Sequence, residues 1–207
     1  MLRACPVALV VAVAVAVAPR GARADAPEEP SIWLGGGLEL LPFGTSEIDI
    51  GNLGFQSDAA TAFGVNAIFE YRLGHVFTVG FAHRLVLDVH DTETHGDSAE
   101  LFDLRGRLTG RWEFLPGWAA YGAVMVGYGI LSLPKTSDPT QPSPGTSKGP
   151  TVTFAAGVTY NIGPYALVYT EVGFENGFEG YSMNGTSYDY EYNFPHVEAG
   201  MMFAIGD

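Results

Sequence analysis

Charged residues that can pair with one another recur at every second position in parts of this sequence. Arg105, Arg107 and Arg111 share one parity with Asp103 and Glu113, so an extended strand would present all five on one face. Arginine stays positively charged and binds a carboxylate through two parallel hydrogen bonds, which suits it to a confined ionic interior. We therefore predict a network of paired charges. Its expected members are the charged residues on the polar parity of strand-like segments: Glu39, Glu70, Arg72, Arg84, Asp103, Arg105, Arg107, Arg111, Glu113, Glu171, Glu175 and Glu198.

Catalytic chemistry has weaker support in the sequence. Three histidines lie close to carboxylates: His83 with Asp88, His90 with Asp91, and His196 with Glu198. A nucleophilic mechanism also needs a hydroxyl or thiol beside its base, and no strand-like segment places a serine next to His83 or His196. We predict no catalytic residues. The segment 90–97 contains histidines and acids at no specific metal-ligand spacing, so we expect neither a metal nor another cofactor.

Eight segments alternate apolar and polar residues with the period of two that is typical of β-strands. In 101–114 the apolar Phe102, Leu104 and Leu108 oppose the arginines, whereas an amphipathic helix would repeat its apolar residues every three to four positions. The eight segments are 32–41, 62–72, 76–88, 101–114, 118–131, 152–162, 166–175 and 196–205. The segment 118–131 is apolar or glycine on both parities, so the sequence leaves its facing open.

The connections between these segments alternate between long and short. Tight turns are expected at 73–75, 115–117 and 161–164, and long polar loops at 42–58, 89–99, 132–150 and 176–191. Aromatic residues collect at both ends of the segments, as in the two interfacial girdles of a membrane barrel. A soluble barrel would alternate as well, but it needs neither the girdles nor the loop asymmetry. The predicted fold is an all-β, eight-stranded antiparallel up-and-down transmembrane β-barrel.

An N-terminal leader precedes the alternating segments. Arg3 comes before an apolar run at 7–18, and Ala22-Arg23-Ala24 matches a small-residue cleavage site, so residues 1–24 are predicted to be a signal peptide. The barrel domain would then be 25–207. Removing the leader would also remove the only cysteine and three arginines, and it would change the net charge from −13 to −16. Such an acidic chain is not expected to bind nucleic acid.

The pattern from 32 to 207 is similar to that of the small OmpA/OmpX-type family of eight-stranded outer-membrane barrels. Members of that family end in an alternating segment with an aromatic last residue, which the barrel-assembly machinery recognises. Here 197–205 alternates and contains Phe203, although the chain continues to Asp207. The resemblance implies the outer membrane of a Gram-negative-type envelope, contact with outer-membrane lipid and insertion by the barrel-assembly machinery.

Three functions follow in order of preference. The first is a non-enzymatic barrel, structural or surface-binding through long acidic extracellular loops, because an eight-stranded interior is only wide enough for side chains to fill it. The second is a narrow channel for a small solute, and the third is a lipid-modifying enzyme. Asn184-Gly185 predicts a hairpin turn, so the last two strands are expected to project beyond the membrane. Tyrosines in this hairpin are candidates for binding an extracellular ligand or for extending the outer girdle: Tyr181, Tyr188, Tyr190 and Tyr192.

Overall fold

The structure, a computed structural model, describes residues 31–50, 53–59, 61–89, 99–132, 146–183 and 186–205. The predicted leader and the segment 90–97 lie outside these residues, so both remain predictions. No helix in the described part of the chain is long and apolar enough to cross a membrane. The strands of the described part are β1 (Ile32–Leu41), β2 (Gly44–Ile50), β3 (Leu53–Ala59), β4 (Ala62–Leu73), β5 (Phe77–Val89), β6 (Ala99–Leu115), β7 (Trp118–Ser132), β8 (Thr146–Gly163), β9 (Ala166–Met183) and β10 (Thr186–Ile205).

Eight of these strands form a closed ring, as predicted. Neighbours pair in the order β1-β4-β5-β6-β7-β8-β9-β10, every pair is antiparallel, and β10 pairs again with β1. Closure leaves the ring without a free edge, so its backbone groups are satisfied within the wall. Gly74 and Gly117 have positive φ values of 80° and 78°, which glycine adopts readily in the tight turns on one side of the ring.

The remaining strands, β2 and β3, extend the first hairpin beyond the ring. Leu41 pairs with Ala62 and Gly44 pairs with Ala59, so the register is unbroken across the junction. Most of the segment 42–58, predicted to be a long polar loop, is therefore strand. Above the ring β2 pairs with residues 189–193 of β10, which makes the order β9-β10-β2-β3 a four-stranded sheet. We call this sheet the outer wall.

Strand lengths show how far the outer wall projects. A tilted strand crosses the hydrocarbon core in about 9–11 residues, whereas β9 has 18 residues and β10 has 20. The hairpin that these strands form extends to Met183 and Thr186, which are paired. The predicted projecting hairpin is confirmed, and most of the segment expected to be loop at 176–191 is strand. Strand β8 likewise begins at Thr146, within the expected loop 132–150.

Side-chain facing follows the predicted parities. Phe81 and Leu108 are exposed on the outside, while Arg84 and Arg105 are buried inside the ring. A ring with an apolar exterior and a charged interior is the arrangement of a membrane barrel. The structure also resolves the facing of β7, because Tyr121 and its parity are buried whereas Val126 and its parity face outward.

Candidate functional site

The lumen contains a continuous network of buried charges. Its centre is Arg84 on β5, which is fully buried and contacts carboxylates from three other strands. Its Nη1 donates to Glu39 Oε1 at 3.2 Å, and its Nη2 donates to Asp103 Oδ2 at 3.1 Å and also to Glu175. These residues meet because the stagger of the strands brings inward positions of β1, β5, β6 and β9 to one height.

Glu175 on β9 joins Arg84 to a second guanidinium. Arg105 Nη1 donates to Glu175 Oε2 at 3.0 Å, and Arg105 Nε lies 3.5 Å from Asp103 Oδ2. Thr153 and Tyr192 also donate to the Glu175 carboxylate, at 3.1 Å and 3.0 Å. Such charge-assisted contacts are stronger than neutral hydrogen bonds. Arg84, Arg105 and their carboxylates form what we call the outer tier of the lumen.

A second group, the inner tier, lies closer to the tight turns and is centred on Arg107. Arg107 Nε donates to Glu70 Oε1 at 2.9 Å, and its Nη1 and Nη2 donate to the two oxygens of Glu171 at 3.3 Å and 2.6 Å. Thr109 also donates to Glu70, at 3.2 Å. The bidentate geometry with Glu171 is the arrangement for which a guanidinium is suited.

His196 lies between the two tiers. Its Nδ1 is 3.8 Å from Glu39 Oε1 and its Nε2 is 3.7 Å from Glu171 Oε1. Glu198, the carboxylate with which the sequence paired it, instead accepts a hydrogen bond from the Tyr169 hydroxyl. The Tyr169 hydroxyl oxygen also lies 3.3 Å from Asn66 Oδ1. His196 is therefore part of the buried network.

Of the other two histidine–carboxylate pairs considered in the sequence, only the His83 side chain lies among the described residues. His83 faces outward and its ring meets Phe102 edge-on, with centroids 4.5 Å apart. His90 and Asp91 lie outside the described residues, as does the Asp88 side chain. Within the described part of the chain, no three His, Cys, Asp or Glu side chains are arranged to hold a metal ion.

Three predicted members of the network lie at the tight-turn end, outside the hydrogen bonds that define the two tiers. The Arg72 guanidinium lies over the Trp33 ring, 5.0 Å from its centroid. Arg111 Nη2 donates to Asn161 Oδ1 at 3.2 Å. Glu113 is exposed and accepts a hydrogen bond from the Gly117 amide at 3.4 Å. Glu113 is exposed because β6 reaches the rim of the ring at this residue, so it lies outside the two buried tiers.

The predicted surface tyrosines divide into two groups. Tyr190 and Tyr192 are buried inside the barrel, where they pack with Phe194, so the prediction that they bind a ligand at the surface was wrong. Their parity on β10 faces the lumen, and the acids Asp189 and Glu191 face outward instead. The side chains of Tyr181 and Tyr188 lie outside the described residues.

Inward-facing glycines make room for aromatic rings, a feature that the sequence analysis missed. A Cβ added at Gly177 would lie 2.1 Å from two atoms of the Tyr192 ring, and one at Gly157 would lie 2.5 Å from Tyr121. Gly173 faces His196 in the same way, at 2.5 Å. The pattern was visible in the sequence as glycines on the polar parity, but their partners depend on the strand register.

Gly177→Ala should destabilise the barrel by about 1–3 kcal/mol, the usual cost of overpacking a filled interior. The added methyl group forces Tyr192 away from Glu175, which loses a hydrogen bond of the outer tier. The measurement is urea unfolding of the refolded protein. The matched control is Gly106→Ala, where the nearest atom to the new Cβ is 3.7 Å away. Equal unfolding midpoints for the two variants would contradict this packing.

No protein-family model matches the chain, and no curated protein matches it. Solved structures do. The outer membrane protein OprG from Pseudomonas aeruginosa has a TM-score of 0.60 at 11% identity, covering 86% of this chain and 97% of that one. This chain has the fold of a small outer-membrane β-barrel. Neisserial surface protein A (NspA) has a TM-score of 0.52 at 12% identity, covering 84% and 97% of the two chains. The outer membrane protein AlkL has a TM-score of 0.52 at 11% identity, covering 92% and 99%.

The exterior of this outer-membrane barrel agrees with its fold. Phe63, Phe81, Leu104 and Val172 are each more than half exposed, and in water such a belt would be unfavourable. Lipid removes that cost, so the ring stands in the outer membrane with its tight turns on one side and the outer wall on the other.

Proposed function

We propose that this protein is a closed, non-enzymatic outer-membrane barrel that binds a positively charged partner through its outer wall. The two tiers of the lumen support the closed state. Arg84, Arg105 and Arg107 are only 0%, 1% and 6% exposed, and each bonds to carboxylates across the interior. Guanidinium–carboxylate pairs occupy the lumen at two heights, which supports a barrel closed to water.

The outward face of the outer wall carries the proposal of binding. Glu47 on β2 lies directly opposite Glu191 on β10, and both residues are exposed. Like charges at opposite positions of a sheet destabilise it, so a cation between them would be bound favourably. The segments 44–59 and 176–193 contain acids and neither lysine nor arginine. A basic protein surface is therefore the complementary partner.

The outward face of the outer wall also contains a groove that a side chain of the partner could enter. It has a volume of about 190 Å³ and is lined by Thr45, Glu47, Phe178, Glu191 and Asn193, among others. Phe178 is half exposed beside the two carboxylates. An aromatic face next to paired acids suits an arginine or lysine side chain, which gains both a salt bridge and a cation–π contact.

Binding of an oligo-arginine peptide to the refolded protein tests this proposal. We expect Glu47→Gln/Glu191→Gln to weaken binding about 10-fold or more and to reduce its salt dependence. The control is Glu113→Gln, which removes an exposed carboxylate from the opposite end of the barrel. Unchanged affinity in the double variant, or an equal loss in the control, would refute binding at the outer wall.

Single-channel recording tests closure separately. We expect no conductance steps from the wild-type barrel in a planar bilayer. Steady conductance steps would favour the narrow channel over the closed barrel.

A further inference from the structure

We propose that the outer part of the lumen, beyond the outer tier, holds a binding site for a small monovalent cation such as Na⁺. Its charged ligand is Glu179 on β9, four residues beyond Glu175 on the same inward face. Glu179 is only 3% exposed, and neither of its carboxylate oxygens has a hydrogen-bond partner among the described residues. A buried charge is costly unless it is paired, so this carboxylate needs a cation or a proton.

Two hydroxyl groups of β8 offer neutral oxygen ligands beside this carboxylate. Ser147 and Thr151 are fully buried, and neither hydroxyl oxygen has a hydrogen-bond partner in the described part of the chain. They flank Gly149 on the inward face of β8, and a Cβ added at Gly149 would lie 2.8 Å from Glu179 Cα. Buried polar groups are nearly always satisfied, and hard cations take oxygen ligands. One cation would give these oxygens a common partner.

Glycines leave space for an ion beside Glu179. Gly149 pairs with Gly129 on β7, and Gly129 pairs with Asp103 on β6, so this row has no side chain on β7 or β8. A Cβ added at Gly129 would lie 2.9 Å from Glu179 Oε1 and 3.0 Å from Thr151 Cγ2. The carboxylate and Thr151 therefore border the same narrow gap, which restricts the ligand to a single small ion.

The charges around the gap select a cation. The charged members of the outer tier are two guanidiniums and three carboxylates: Arg84, Arg105, Glu39, Asp103 and Glu175. Protonation of His196, which lies 3.8 Å from Glu39, would at most make this tier neutral. Lys148 is exposed on the outward face of β8. The outer tier thus has no surplus positive charge for Glu179, and one monovalent cation would balance its carboxylate.

Protons compete with the cation for Glu179. Burial raises the pKa of its carboxyl to about 7, the Ser147 hydroxyl beside it acts to lower that pKa, and neighbouring carboxylates act to raise it. The titratable residues that face this space from β6, β9 and β10 are Asp103, Glu175, Tyr190 and Tyr192. A tyrosine is neutral near pH 7. Cation binding should therefore strengthen as the pH rises through 7.

Thermal unfolding of the refolded full chain in a non-ionic detergent tests the site. NaCl replaces N-methylglucamine chloride at constant ionic strength, so only the kind of cation changes. At pH 8 we expect a saturable rise in the unfolding midpoint with Na⁺ and broadening of the ²³Na resonance. The half-saturating concentration should be about 10-fold higher at pH 6, where Glu179 is mostly protonated.

Glu179→Gln keeps the shape of the side chain and removes its charge, so it should abolish the midpoint rise and the broadening. Because the variant also lacks an unpaired buried charge, its midpoint without Na⁺ should equal or exceed that of the wild type at pH 8. Ser147→Ala and Thr151→Val each remove one neutral ligand. They should raise the half-saturating concentration about 3- to 10-fold.

The control is Glu100→Gln, which removes an exposed carboxylate from the same end of the barrel. It should leave the titration unchanged. A wild-type response to Na⁺ in Glu179→Gln would overturn the proposal. No response of the wild type at pH 8 would also overturn it and would assign the unpartnered oxygens to water or a proton. A midpoint rise with Ca²⁺ but not with Na⁺ would replace the monovalent ion by a divalent one. None of these results depends on peptide binding at the outer wall.

Discussion

Arg84→Ala should destabilise the barrel by about 3–5 kcal/mol, because removing one partner of a buried ion pair leaves uncompensated charge in the interior. Arg84 bonds to Glu39, Asp103 and Glu175, so a single substitution deprives three buried carboxylates of a donor. Glu175 retains Arg105, whereas no other guanidinium bonds to Glu39 in the described part of the chain. Urea unfolding in lipid vesicles measures the change.

Lys148→Ala is the control for the loss of a positive charge, since Lys148 is exposed. It should change the free energy of unfolding by less than about 1 kcal/mol, as expected of a surface charge. A loss of under about 1 kcal/mol in Arg84→Ala as well would show that the outer tier does not hold the barrel together. The closed state proposed for the lumen would then lose its main support.

Leu108→Arg should cost about 2–4 kcal/mol, the penalty for a charge on the lipid face near the bilayer midplane. Leu108 is half exposed on the outside of β6, one residue from the buried Arg107 and near the centre of the membrane-crossing part of the strand. Arginine is the native residue at 107 and a substitution at 108. Comparing the two positions therefore tests which side of the strand faces lipid.

The control is Tyr128→Arg, which places the same charge on the lipid face of β7 near the outer girdle. There the penalty should fall to about 0–1 kcal/mol, since the cost depends on depth. Equal tolerance at both positions, measured by unfolding in vesicles, would mean that the apolar exterior does not face lipid.

The sequence predicted which side chains face the lumen where one set of alternate residues in a strand was polar. It did not predict this where both sets were apolar. Arg105 and Arg107 could only face inward, because the outward parity of β6 is apolar. The facing of β7 was left open, and it follows from its partner: Arg107 pairs with Met125, and paired residues point to the same side of a sheet. The charges of β6 thus determine the facing of its uncharged neighbour.

The outer wall contains strands that the alternation of polar and apolar residues and the turn residues did not predict. The segment 44–59 is rich in glycine and polar residues, yet 44–50 and 53–59 are strands, because β2 pairs with β10 and β3 pairs with β2. The network shows the same limit. Parity predicted which charges face the lumen. The stagger of the strands decides that Glu39 bonds to Arg84 rather than to Arg72, which is nearer in sequence. Both features depend on contacts between distant parts of the chain.

The double pairing of β10 has a consequence for the order of folding. Its lower half closes the ring by pairing Ile205 with Ile32, and its upper half holds β2 in place. Joining residues so far apart in sequence costs about 4–5 kcal/mol of chain entropy, so this should be a late step of folding. Ring closure and completion of the outer wall then become one kinetic event. An intermediate that lacks β10 would have two open strand edges and an incomplete outer wall, so the ring and the outer wall are completed in the same step.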